Sequence, residues 1–326
     1  MSGAMLGKSR LYRYRAFTMA QTYAIPAAPP QADVRRGILL VAAAALTWSF
    51  GGVIARFLSI ADPWTIVFWR GGFAAAFLLC FMLWRDGPRG TILLFRNMGL
   101  AGLGFSCCFG TASTAFIVAL QHTTVANILL IQAAAPLIAA VLGWLFLRER
   151  VNLPTWIAIA AVICGVGIMV SSSFSGRVSL LGDGLAVLIT IAFSVGIVIT
   201  RHSPHVRMTP AACLGAMMAV LAASFLARSY AVSMVDLGWL FLFGAVNLGV
   251  GLAMFVTGAR LVPAALAALV STLEPVVGPV WVWLIHAEVP GTSTLIGGAI
   301  VFAALLIHIL TDWNRQRHAR AVPSAS

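Results

Sequence analysis

The chain has 326 residues, of which 61% are hydrophobic and only 9% charged, against about 25% charged in an ordinary globular domain. With a mean hydropathy of +0.98 it lacks the polar coat of a soluble fold, and disorder, collagen and a disulfide-rich scaffold are excluded. The net charge of +12 is spread between long apolar runs, which speaks for membrane orientation and against nucleic acid as a partner.

Residues 1–36 carry Lys8, Arg10, Arg13, Arg15, Arg35, Arg36 and several prolines. They lack the apolar core of a signal peptide. An uncleaved, disordered cytoplasmic tail is expected, starting at Met1 or Met19. Ten apolar stretches follow: 37–58, 64–84, 98–120, 123–147, 154–171, 182–200, 210–227, 236–258, 262–284 and 295–310. Each is near the ~20 residues that cross ~30 Å of hydrocarbon. Polar turns such as Asp86-Gly87-Pro88-Arg89 separate them, and residues 311–326 form a second tail. The expected fold class is an all-α membrane protein with ten transmembrane helices.

Charge tests this count. With the N-terminus inside, seventeen of the 21 Lys and Arg fall on inner segments, three (Arg56, Arg177, Arg228) fall outside, and Arg70 lies within a span. Basic loops stay cytoplasmic, so both termini are expected inside, in a multi-pass protein of the plasma (inner) membrane. The five cysteines lie in apolar runs without CxxC spacing. They read as small buried apolar residues, with neither a zinc site nor a disulfide framework. His202 and His205 read as solvated, and His308 as a buried, satisfied histidine.

An internal repeat runs through the chain. Pro136 and Glu149 are 13 residues apart, as are Pro275 and Glu288, at an offset of 139. Around them VANILLIQAAAPLIAAVLGWLFLRERV parallels AALAALVSTLEPVVGPVWVWLIHAEVP. Trp48-Ser49-Phe50-Gly51 in the first helix parallels Phe193-Ser194-Val195-Gly196 in the sixth, at an offset of 145. Residues 37–171 and 182–310 thus form two halves of five helices. An odd number makes the second half enter from the opposite side, giving two inverted five-helix repeats, a recurrent way to build secondary transporters.

The paired Pro…Glu segments closing helices 4 and 9 resemble the paired EamA domains of the drug/metabolite transporter (DMT) superfamily, over roughly residues 37–310. The resemblance implies a ten-helix carrier with a central cavity, moving small metabolites or drugs, often outward. It implies no particular substrate. The glycine usual before each glutamate is Arg148 in the first copy and Ala287 in the second.

Two charges lie well inside spans, Arg70 in helix 2 and Glu274 in helix 9. Buried charge is costly, so each is a functional candidate. At 1.5 Å per residue, Arg70 lies ~9 Å and Glu274 ~12 Å below the outer face. Level with each other, they suit a zwitterion such as an amino acid or related metabolite. The competing readings are a salt bridge locking helix 2 to helix 9, or Arg70 snorkelling outward. Ser271, Glu274, Gly278 and Trp281 share one face of helix 9, and Gln132, Pro136, Ala139 and Gly143 one face of helix 4. Gln132 and Ser271 are repeat equivalents, which suggests a shared cavity lining or, equally open, helix–helix hydrogen bonding. Asn247 on helix 8, with Trp48 and Ser49 on helix 1, extend the candidate substrate-binding set. Pro136 and Pro275 each remove a donor near mid-helix and are candidate hinges. Glu149 and Glu288, at helix ends, are candidate caps or gates.

These features lead to a proton-coupled or facilitative carrier, an exporter by the resemblance, with a small organic solute and membrane lipid as partners and no cofactor or metal. An intramembrane enzyme acting on lipid or peptide is the alternative. No His/Asp/Glu pair stands at ligand spacing within a span, and no Gly-x-Ser-x-Gly elbow occurs. A channel lacks a ring-forming filter motif.

Overall fold

The computed structural model describes residues 31–148, 153–174, 179–262 and 264–321. Among them nine helices are long and apolar enough to cross a membrane, and Leu273–His286 is a shorter apolar helix. Numbered by span, they are α1 Asp33–Phe57, α2 Pro63–Asn97, α3 Gly99–Ala119, α4 Val125–Leu147, α5 Leu153–Val170, α6 Leu180–His202, α7 Thr209–Leu226, α8 Met234–Gly258 and α10 Thr292–Thr311. Between the last two, α9 consists of Ala264–Ser271 and Leu273–His286.

Three boundaries differ from the hydropathy reading. Helix already begins at Gln31, six residues before the first apolar stretch. The last helix runs to Ala321. The Asp86-Gly87-Pro88-Arg89 turn is a kink: Gly87 takes φ 71° and ψ 172°, and a second helical segment then reaches Asn97. The positive φ suits glycine. Pro88 follows where a new first turn needs no N–H.

Packing repeats itself when the halves are exchanged. The third helix lies against α6 and α7, as α8 lies against α1 and α2. Likewise α4 packs on α6 as α9 packs on α1, while α2 meets α7, α5 meets α10 and α4 meets α9. Backbones approach closely at small residues, as membrane helices require. A Cβ on Gly165 of α5 would stand 2.7 Å from the Gly297 carbonyl of α10, and one on Gly110 of α3 2.8 Å from the Gly215 carbonyl of α7.

Polar contacts gather at the two ends. At one end Asp62 caps α2, accepting from the amides of Trp64 (3.4 Å) and Thr65 (3.3 Å) and from Arg228 N across to α7 (3.0 Å). At the other, Arg207 holds Asp86 with two hydrogen bonds of 2.7 and 3.2 Å. The first is called outer below, following the charge balance. The cysteines depart from expectation. Cys213 is buried, but Cys80, Cys107 and Cys164 are exposed, and all are free thiols. A thiol is apolar enough to face acyl chains, so an apolar run did not require it to point inward.

Candidate functional site

The fourth and ninth helices are both interrupted at mid-span, at repeat-equivalent places. In α4 the pieces are Val125–Gln132 and Ala135–Leu147, with Ala133 and Ala134 between them. In α9 the gap is Thr272, 139 residues on from Ala133. Pro136 and Pro275 each fall in the first turn of the second piece. There a missing N–H costs nothing, because first-turn amides have no intrahelical acceptor. The prolines therefore follow kinks at which the chain keeps right-handed helical dihedrals.

Gln132 and Glu274 flank these breaks. Both are only partly buried, and neither makes a hydrogen bond among the described residues. A Cβ on Gly278 would touch Leu129 of the antiparallel α4. Four residues inward from each, Glu274 comes level with Ala133, beside Gln132. An amide and a carboxylate thus stand at a similar depth near mid-membrane. Glu274 lies in the first turn of its piece, where the helix dipole favours negative charge. Ser271 lies one turn away, but its hydroxyl donates to Ala267 O in its own helix at 2.8 Å.

Helix 1 breaks at Phe50, between Gln31–Ser49 and Gly51–Phe57. Facing it, α8 widens into a π-helix over Leu242–Val250. Asn247 of that stretch is 4% exposed, and its amide donates to the carbonyls of Thr47 and Trp48. Thr47 O also accepts the Phe50 amide at 3.4 Å, so Asn247 fastens the kink from the facing helix. Ser49 is fully buried and donates to Leu46 O at 2.7 Å. Both groups are spent on α1. Trp48 lies against Gly251, and its indole N–H finds no acceptor among the described residues. Phe50 stacks on Trp281 of α9 with centroids 5.1 Å apart.

Arg70 is 7% exposed between α2, α3 and α8. Its Nη1 donates to Ser113 Oγ at 2.8 Å, and its Cζ lies 4.4 Å from the Phe243 ring centroid and 5.9 Å from that of Phe116. Among the described residues no carboxylate pairs with it. The α2–α9 salt bridge is therefore not formed. Snorkelling is not seen either, since the guanidinium is buried.

Glu288 closes the outer end. Its Oε2 takes Arg56 Nε at 2.9 Å and its Oε1 takes Val125 N at 2.8 Å, while Arg56 also donates to Leu120 O and Thr123 O. Glu149 lies outside the described residues. His308 meets Thr155 at 3.4 Å.

Two polar groups escaped the sequence reading. Asp183, 1% exposed in the first turn of α6, takes the Asn127 amide of α4. It stands at a span end, where charge is common. By charge alone Arg56 reads as one more outer charge, although Arg201 lies at the same 145-residue offset as the Trp48 repeat.

The EamA-like transporter family matches residues 35–171 and again 180–310. No curated protein matches the chain. One solved crystal structure, 16% identical, covers 86% of this chain and 98% of its own with a TM-score of 0.59, a likeness of fold. With two copies of one family's pattern spanning an all-helical body of inverted five-helix halves, this chain belongs to the EamA-like transporter family of the DMT superfamily.

Proposed function

We propose that the protein is a secondary carrier of a small organic solute, working by alternating access and exporting from the cytoplasm across the plasma (inner) membrane. The observation that supports this most is the pair of mid-span interruptions in α4 and α9, with Gln132 and Glu274 unpartnered beside them. The interruptions are kinks whose residues keep helical dihedrals, and irregular helix at matched places in inverted repeats is where carriers build solute sites. Gln132, Glu274 and Ser271 contact solute at the breaks, and Arg70 contacts it nearer the outer end. Pro136 and Pro275 are the pivots, and Glu288 gates the outer end. Asn247 and Ser49, spent on closing α1, are left out of the set, and Trp48 contributes a wall.

The test is counterflow in proteoliposomes over a panel of amino acids, nucleosides and drugs. Saturable exchange is expected, abolished in Glu274→Gln while the protein still folds. Linear, unsaturable flux, or turnover of a lipid or peptide without flux, overturns the reading. Repeating the exchange with and without a pH gradient separates facilitative from proton-coupled transport. A reporter fused after Ser326 is expected to be active only in the cytoplasm.

A further inference from the structure

Arg70 has an unused edge. Its Nη1 is committed to Ser113, its buried Nε has no hydrogen-bond partner, and its Nη2 makes none among the described residues. Nε and Nη2 are the two parallel donors of the guanidinium fork that take a carboxylate bidentately. The aromatic face of Phe243 holds the guanidinium from one side, and Phe116 lies at longer range. Aromatic rings ease the desolvation of a cation, but they supply no acceptor for its N–H groups. A guanidinium cannot shed its charge to escape burial. A buried cation without a counter-ion is costly, and the described residues offer none.

The mid-membrane glutamate is too far away to serve, and too far away to share an amino acid with it. Phe243 is level with Gly51 of α1, whose Cβ would stand 3.6 Å from its ring, while Gly278 of α9 is level with Ser49. Glu274 lies four residues inward of Gly278. Six helical residues therefore separate the two levels, a depth difference of ~9 Å. The two charges of an α-amino acid lie within about 4 Å of each other, so one such molecule does not bridge them. The two groups are also on different neighbours, Arg70 among α2, α3 and α8, and Glu274 against α1 and α4.

We propose that the Arg70 guanidinium, with Ser113 and the rings of Phe243 and Phe116, is a binding site for the carboxylate of a monoanionic organic solute. This rests on the carrier reading and names the solute class for it. The one guanidinium neutralises a single negative charge, which favours a carboxylate over a phosphate dianion. The rings favour an apolar body behind the carboxylate. Glu274 then meets another part of the solute or another step of the cycle.

The experiment uses the purified full chain and matched pairs of ligands: acetate, butyrate, benzoate and phenylacetate, each beside its neutral amide. Binding is read by thermal shift and isothermal titration in a chloride-free buffer, and flux by counterflow. At least one acid, with the aromatic ones leading, is expected to bind tenfold or more tightly than its amide. Arg70→Gln should remove that preference, and Arg70→Lys, which keeps charge but not the fork, should keep only part of it. If Arg70→Gln does not fold, Ser113→Ala decides. It leaves the charge in place and should weaken the acids severalfold while leaving the amides unchanged. Equal binding of acids and amides by the natural protein overturns the proposal. So does a preference that survives Arg70→Gln undiminished, or acid binding unchanged in Ser113→Ala, and so does chloride alone competing at millimolar concentration. Acid-selective binding without any flux keeps this site and overturns the carrier reading. Saturable flux of neutral solutes without acid preference does the reverse.

Discussion

Arg56 and Glu288 form an ion pair of 2.9 Å that ties the outer end of α1 to the turn after α9. The same carboxylate accepts Val125 N, so the first turn of α4 is held in the same knot. Glu288→Ala strands that amide and leaves Arg56 only the carbonyls of Leu120 and Thr123, while Glu288→Gln still offers an oxygen to Val125 N. Because the pair is partly solvated, at 30% and 18% side-chain exposure, the expected loss for alanine is about 1–2 kcal/mol, with glutamine losing less. Thermal unfolding of the detergent-solubilised protein checks the order. Equal midpoints for all three proteins contradict the knot.

Two non-glycine residues carry left-handed backbone at repeat-equivalent helix ends. Arg148 ends α4 at φ 55°, and Ala287 ends α9 at φ 53°. A side chain there costs roughly 1–2 kcal/mol, which glycine avoids. Ala287→Gly is therefore expected to stabilise the protein by about 1 kcal/mol, and a β-branched residue to destabilise it. A lower melting temperature for Ala287→Gly refutes this.

The same two positions show how far the sequence could be read. Ten spans, the repeat and its inversion were legible because apolar run length and charge placement are one-dimensional signals. The Pro…Glu spacing located both helix ends where the left-handed residues stand. The breaks at Ala133 and Thr272 were half legible: the prolines announced them, but which side of each proline would break depended on first-turn hydrogen bonding. The roles of Asn247 and Ser49 were not legible, since a polar residue facing a cavity and one closing a neighbour's broken backbone look alike in a helix pattern. Likewise Arg70 and Glu274 seemed level because each depth was counted from a span edge, whereas helix ends are staggered.

Asn247 gives the third prediction. Its amide serves Thr47 O and Trp48 O. Asn247→Ala removes a donor from both carbonyls, although Thr47 O keeps the Phe50 amide at 3.4 Å, at a cost of about 1–3 kcal/mol. Asn247→Asp is expected to be worse at neutral pH, because a carboxylate would face those oxygens. Thermal midpoints of the two variants, compared at pH 5 and pH 8, test the order. Aspartate equal to the natural residue at pH 8 would sink it.

Acid sensitivity at the outer end gives the fourth. Burial pushes the Asp62 carboxyl up, but the Arg228 amide, the Thr65 hydroxyl and the amides of Trp64 and Thr65 together hold it below the usual carboxylate value. A folded pKa below the unfolded one adds stability that is present above the unfolded value, near 4, and is lost as pH falls through the folded value. The melting temperature should fall below about pH 4, and the fall should be shallower in Asp62→Asn. An identical acid limb in the variant counts against this account.

The break at Phe50 and the π stretch of α8 have no counterparts in the other half, where α6 and α3 run unbroken. Inverted halves of identical sequence would give two resting shapes, one open to each side, related by symmetry and equal in energy. Here only the half-pair of α1 and α8 carries the extra joint and its Asn247 fastening. On the alternating-access reading proposed above, the two shapes are then unequally populated, and the molecule dwells in one of them between cycles. Half-saturation measured from the two faces of sealed vesicles should therefore differ. Loosening the fastening with Asn247→Ala should bring the two values closer together.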